Sequence, residues 1–332
     1  MTSLPTFDDV LAAEARIAGH AVRTPLLFSP VLSERLSARI YLKPECLQRT
    51  GSFKFRGAWN ALSILGPEIR ARGIVAVSSG NHAQGVAEAA RLFGVRATII
   101  MPSDAPILKR RRTERSGARV VGYDRGAEDR HAVVAQVAAE TGGAFIHPFN
   151  DPQVIAGQST VGLEVAQDCK SFGIVPDVVI VPCSGGGLAA GMALAVTEAF
   201  PRSGVYVAEP DGFDDYARSL EAGAPQRNPR LSGSICDALL APSPGSISWE
   251  IGKARFAGGV SATDAEALEA VGFAFDEVRL VVEPGGAVGL AALLNGRPEV
   301  RGKTAVVVLS GGNIGDEMLA DAVRAYRSGA GS

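Results

Sequence analysis

Thr50-Gly51-Ser52-Phe53-Lys54-Phe55-Arg56-Gly57 sets one lysine between two phenylalanines, just behind a glycine and a serine. Phe55, Ala58, Trp59, Leu62 and Leu65 then recur at helical spacing, and Ser52 suits an N-cap, so the stretch reads as a loop turning into a helix. Aromatic neighbours desolvate an ammonium, and the positive end of a helix disfavours it further. Both effects lower the pKa, which is what an amine needs to attack a carbonyl. The same residues also suit a lysine whose head snorkels out of an amphipathic helix into water.

Outward from that stretch, strands and helices alternate. A capped amphipathic helix is expected over 6–17, with Thr6 and Asp9 in a capping-box relation, and a short strand over 40–43. Strands at 74–77, 97–101, 119–121 and 144–146 alternate with helices at 83–93, 107–115 and 128–140. A second series places strands at 178–181, 205–208, 280–282 and 305–309 among helices at 154–166, 188–199, 265–275, 287–294 and 316–326. The strands are short continuous apolar runs rather than alternating ones, so helices cover both faces of the sheets. The fold class is α/β, with two open, mostly parallel α/β domains and a cleft between them where a ligand of such sheets sits.

The 332 residues, with a formal net charge of −2, suffice for one large domain or two moderate ones. No basic excess points to nucleic acid. No charged-then-apolar leader or membrane-length apolar run is present, so the cytoplasm is the expected location. Cys46, Cys169, Cys183 and Cys236 are scattered, which indicates neither zinc nor a disulfide framework. The Gly/Ser/Ala tail after Arg327 reads as frayed.

Three loops carry chemistry. Ser184-Gly185-Gly186-Gly187-Leu188 follows an apolar strand and opens a helix, a place where bare backbone N–H groups cradle phosphate. Gly185, Gly187 and Ala190 also satisfy a dinucleotide fingerprint, with Glu209 about 20 residues on as a ribose-binding acid, so a nicotinamide-dependent dehydrogenase and plain tight packing stay open for this loop. Ser78-Ser79-Gly80-Asn81-His82 joins a strand to a helix and offers hydroxyls, an amide and free N–H groups suited to a carboxylate; a turn with an N-cap is the other reading. Ser310-Gly311-Gly312-Asn313 ends an apolar strand and by itself says little.

The segment Glu45–Ala58 around Lys54 resembles the lysine segment of the serine/threonine dehydratases and serine racemases, pyridoxal-phosphate (PLP) enzymes of the tryptophan-synthase-β fold. The likeness runs from about Thr24 to the end of the chain. It implies a small domain at 73–147 inserted into a large one formed by 1–72 and 148–332. It implies that Lys54, beside Phe53, forms the Schiff base with PLP, that Ser184–Leu188 holds the PLP phosphate, and that Ser310 meets the pyridine nitrogen. A hydroxyl does not keep that nitrogen protonated, which favours prompt loss of a β-leaving group. Ser78–His82 would take the substrate carboxylate, Asn81 would also bond the ring oxygen, and Ser79 would be a second acid/base opposite Lys54, with His82 orienting the loop. Glu209, the Phe213 carbonyl and Asp215 match the racemase branch's site for Mg2+, Ca2+ or Mn2+; an acidic solvated turn is the alternative. Arg130 lies where racemase-like members carry an arginine able to pair with a second substrate carboxylate; a surface salt bridge is the alternative. Ala238 stands where many members have glycine. The implied activity is β-elimination of a small β-hydroxy amino acid, such as L-threonine or L-serine, to a 2-oxo acid and ammonia, in a homodimer. Serine racemase and 3-hydroxyaspartate dehydratase are the alternatives on the same fold. With the chain ending soon after its last helix, feedback control by isoleucine is not expected.

Overall fold

A computed structural model describes residues 3–105, 107–124 and 126–329. Ten strands carry the architecture: β1 (Leu27–Phe28), β2 (Arg39–Pro44), β3 (Ile74–Val77), β4 (Ala97–Pro102), β5 (Arg119–Tyr123), β6 (Ala144–Phe145), β7 (Val178–Pro182), β8 (Gly204–Pro210), β9 (Phe256–Ala262) and β10 (Thr304–Leu309). They form a six-stranded sheet, β1-β2-β10-β7-β8-β9, and a four-stranded sheet, β5-β4-β3-β6. Every pairing is parallel except β1 with β2. All four strands of the smaller sheet come from within 74–145.

The continuous apolar runs behave as parallel strands covered on both faces. Along β7, Val178 and Ile180 pack into one core while Val179 and Val181 pack into another, and β10 divides in the same way. The capping box of the Phe7–Ile17 helix forms as expected, with Asp9 N–H donating to Thr6 Oγ1 and Thr6 N–H to the Asp9 carboxylate.

Three expectations differ. Residues 280–282 form no strand: Leu280 N–H donates to Ala274 O and Glu283 N–H to Gly311 O, so the backbone bonds go to a helix end and a turn rather than to a ladder. β9, by contrast, escapes a hydrophobicity reading because Phe-Ala-Gly-Gly-Val-Ser-Ala is small and weakly apolar; its pairing with β8 makes it a strand. The tail is shorter than expected, since the last helix, Asp316–Gly329, runs through Ser328; residues 330–332 lie outside those described.

The Lys54–Ser63 helix is held by close crossings. A Cβ on Gly157, in the Pro152–Ser171 helix, would lie 2.6 Å from Gly57 Cα, so only two glycines let these backbones meet. From the other side the Asn81–Phe93 helix brings Gly85 against the Lys54 carbonyl group. The lysine is thus seated where a helix following β3 of the smaller sheet meets the larger one.

Candidate active site

Because β2, β10 and β7 are adjacent and parallel, the loops that leave their C-terminal ends lie side by side. Phe53 N–H donates to Ser310 O at 3.2 Å, Gly312 N–H to Gly51 O at 2.9 Å, and Ser52 bridges Gly311. Thr50 sits in the left-handed region at φ 64°, which a β-branched residue accepts only under tertiary constraint. The expected Ser52 N-cap does not form. Its bridge to Gly311 holds the residue extended, Phe53 takes the N-cap position with no side-chain bond, and the Ser52 hydroxyl is buried without a partner among the described residues.

Lys54 opens its helix with the amine enclosed, 5.1 Å from the Phe53 ring centroid and donating to Pro148 O at 2.7 Å. Desolvation lowers its pKa to about 8. His82 faces the same region. Its Nε2 meets Ile146 O at 3.0 Å, its Nδ1 has no partner among the described residues, and burial, then the Lys54 charge, bring its pKa down to about 3. It therefore stays neutral at physiological pH, with Nε2 as the donor and Nδ1 as a bare acceptor.

Around His82, Ser78 Oγ accepts from Gly80 N–H at 3.1 Å, and no side chain caps the Asn81–Phe93 helix, so its first-turn amides remain available. Ser79 is half-buried in this loop. Asn81 donates to Glu283 Oε1 at 2.5 Å and accepts from Asn313 at 2.8 Å, which ties the serine loop to the Ser310 loop. Ser310 itself is buried at the end of β10. Glu283, with its carboxyl pushed up to about 7 by burial, is absent from the sequence-based set. The signal for it was an acid directly before the Pro284-Gly285-Gly286 helix start.

In the glycine loop, Gly186 is the N-cap of the Gly187–Ala199 helix at φ 88°. A Cβ at Gly185 would lie 2.3 Å from the Phe149 ring, and one at Gly186 2.0 Å from the Tyr216 hydroxyl oxygen, so the chain is bare backbone here by necessity. Ser184 Oγ accepts from Ala241 N–H at 3.2 Å, and Leu188 is buried in the first turn.

Arg56, two residues beyond the lysine, anchors this helix to the interior. It is fully buried, makes a bidentate pair with Glu45 at 2.8 Å and 2.8 Å, and donates to Glu164 at 2.7 Å and 3.0 Å. Lys43 completes the group through Glu164 at 2.6 Å and the Thr24 carbonyl at 2.7 Å. Two cations and two carboxylates leave the cluster neutral, the condition under which buried charges persist.

Glu209 ends β8, and its oxygens accept from the Tyr216 and Ala217 N–H groups at 3.0 Å and 2.9 Å. Asp215, buried beside it, accepts from Asn228 Nδ2 through Oδ1, while Oδ2 has no partner among the described residues. Burial, and after it the nearby Asp215, push the Glu209 carboxyl well up; burial brings Asp215 to about 7. A buried carboxylate pair with an orphaned oxygen has the chemistry of a hard-cation site, although among the described residues no three His, Cys, Asp or Glu side chains gather to hold a metal ion. Phe213 is buried two residues before Asp215. Arg130 opens the Arg130–Thr141 helix with its side chain exposed. Ala238, also exposed, turns its methyl towards Gly285.

An enclosed amine, a bare-backbone helix start and a serine loop, gathered where parallel strands end, fit an α/β enzyme with its site at those strand ends. Residues 17–311 match the family described as pyridoxal-phosphate dependent enzyme, and the chain belongs to that family. It is 40% identical to the L-threonine ammonia-lyase of Thermotoga maritima, over 95% of this chain and 77% of that one. It is 39% identical to the L-threo-3-hydroxyaspartate ammonia-lyase of Saccharomyces cerevisiae, over 94% of each. The structure of maize serine racemase superposes with a TM-score of 0.90 at 33% identity, covering 99% of this chain and 100% of that one. Family membership makes pyridoxal phosphate the cofactor, in place of the nicotinamide cofactor that the glycine loop alone left open. The residues fit that cofactor: the cradle admits only glycine, and the buried Thr50 and Ser52 hydroxyls and His82 Nδ1, all close to Lys54 in the chain or in space, lack partners among the described residues. Among the described residues, no helix is long and apolar enough to cross a membrane.

Proposed function

We propose that this chain is a PLP-dependent ammonia-lyase that converts a small β-hydroxy amino acid, such as L-threonine or L-serine, into a 2-oxo acid and ammonia. The single observation that carries the proposal is the enclosed Lys54 amine, with its pKa near 8, close enough for its charge to act on His82 of the serine loop. Bound PLP supplies the electron sink that makes the substrate α-proton labile. Lys54 would hold the cofactor, and its free amine would take that proton at Nζ, oriented by the Pro148 carbonyl. The first-turn amides of the Ser78–His82 loop bind the substrate carboxylate, Asn81 serves the loop and the ring oxygen, and Ser79 holds a proton on the opposite face. Neutral His82 orients the loop. The Ser184–Leu188 backbone holds the phosphate, Phe53 packs at the lysine, and the Ser310 hydroxyl meets the ring nitrogen. The β-hydroxyl leaves as water, its extra proton balancing the α-proton that Lys54 Nζ takes, and hydrolysis of the unsaturated amine consumes one water and releases ammonia.

In the same reading, 73–147 is a small domain set into the large domain of 1–72 and 148–332, the protein is a cytoplasmic homodimer, Glu209, Phe213 O and Asp215 hold Mg2+, Ca2+ or Mn2+, and Arg130 serves substrates with a second carboxylate such as 3-hydroxyaspartate. Likeness to maize serine racemase over nearly the whole chain supports a second reading, racemisation of serine with Ser79 as the second base. A screen of L-threonine, L-serine and 3-hydroxyaspartate for 2-oxo acid release, with chiral analysis of the remaining serine, separates the readings. Absence of 2-oxo acid from every substrate by the PLP-loaded protein, while K54A is equally silent, refutes the lyase.

A further inference from the structure

The glycine loop is held from behind by two fully buried side chains, Ser248 and Tyr216. Gly185 O accepts two hydrogen bonds, from Ser248 Oγ at 2.6 Å and from Gly245 N–H at 3.1 Å. Ser248 Oγ accepts in turn from the Tyr216 hydroxyl at 2.7 Å. Ser248 and Tyr216 are fully buried, and the Tyr216 hydroxyl lies against Gly186. A serine hydroxyl has one proton to give. With Tyr216 donating into its oxygen, that proton goes to an acceptor, and Gly185 O is nearer than the alternative, Gly245 O at 3.0 Å.

The consequence lies in the peptide that joins Gly185 to Gly186. In a trans peptide the C=O and N–H point to opposite sides of the chain. Drawing the Gly185 carbonyl towards Ser248 therefore turns the Gly186 N–H the other way, to the side on which the cradle reading puts the phosphate. Glycines on both sides leave this peptide with little torsional restraint of its own, so its orientation has to be imposed from outside.

We propose that Ser248, locked by Tyr216, is a positioning residue for the cofactor phosphate: it fixes the 185–186 peptide so that the Gly186 N–H is presented to the phosphate before the cofactor arrives. The proposal rests on the reading of Ser184–Leu188 as the phosphate cradle.

Equilibrium binding of PLP and of pyridoxal, which lacks the phosphate, to the full-length apo-protein tests it. S248A is expected to weaken PLP by about tenfold and Y216F by about threefold, the range of one neutral hydrogen bond, with pyridoxal affinity held within about twofold. Y216F keeps the ring packed between Trp249 and Phe256, so it controls for packing damage. The 31P resonance of bound PLP should also shift in S248A. A loss shared equally by PLP and pyridoxal, or unchanged PLP affinity in both variants, overturns the role of Ser248. A wild-type protein with no preference for PLP over pyridoxal instead removes the cradle reading, and the proposal with it.

Discussion

Raising the pH across 8 should switch Lys54 from ammonium to amine while surface lysines stay charged. The enclosed Lys54 amine titrates at about 8, against 10.5 for a solvated lysine, because burial removes the water that would stabilise the charge. At pH 7 about one Lys54 in ten is then neutral, compared with roughly one solvated lysine in three thousand. That is on the order of 300 times more nucleophile at neutral pH. Stopped-flow mixing of apo-protein with PLP, followed by absorbance from about pH 6 to about pH 10, reads this directly. The rate constant should climb about tenfold per pH unit below 8 and level off above it, after division by the profile of a free model amine that removes the ionisations of PLP itself. A profile that keeps rising past pH 9.5 with no break near 8 would refute the desolvation argument. Stability of the apo-protein follows the same linkage. The native pKa lies below the unfolded one, so between 8 and 10.5 the unfolded chain binds a proton that the native one does not, and stability rises with pH through that window. Below 8 both states are protonated, and the full cost of enclosing the ammonium is present.

E164L leaves Lys43 and Arg56 facing one carboxylate, and should cost about 3–5 kcal/mol in chemical denaturation; K43M/E164L restores neutrality and should recover much of that loss, whereas no recovery would disprove the charge-balance account. G157A drives a methyl to within 2.6 Å of Gly57 Cα and 2.7 Å of the Arg56 carbonyl oxygen, so the helix carrying Lys54 must shift; an unfolding free energy lowered by about 1–3 kcal/mol in chemical denaturation and weaker PLP binding are expected, and wild-type values for both would contradict the crossing. Millimolar Mg2+ should raise the melting temperature of the wild type more above pH 7 than below it, because Asp215 with its pKa at about 7 must lose its proton to bind, and D215N should abolish the gain; no gain for the wild type at any pH would rule out the cation site.

The sheets and the loops that join their strands to helices were legible from sequence because each is a local property. A short unbroken β-branched run such as 178–181 suits a strand covered on both faces, and a bare-backbone helix start, an enclosed amine and a hydroxyl-rich turn each need a particular residue type at a particular chain position. Segment 280–282 shows the limit of local pattern. Its two buried apolar residues read as a strand, yet Leu280 N–H donates back to Ala274 O, and the adjoining Glu283 N–H donates to Gly311 O. Ser52 shows it again, since a residue suited to capping a helix is pulled into a bridge with Gly311, far along the chain.

Only tertiary structure placed β10 between β2 and β7, and that adjacency sets the lysine and Ser310 loops beside the glycine loop. It also decided the partners that local sequence leaves blank: Glu164 for Arg56, 108 residues away, Glu283 for Asn81, 202 residues away, and the Pro148 carbonyl for Lys54. The residue types that do chemistry are written in each loop. Which of them meet is decided by strand order and by where a glycine lets two helices touch, because a hydrogen bond or a desolvated charge depends on distance in space and not on separation along the chain.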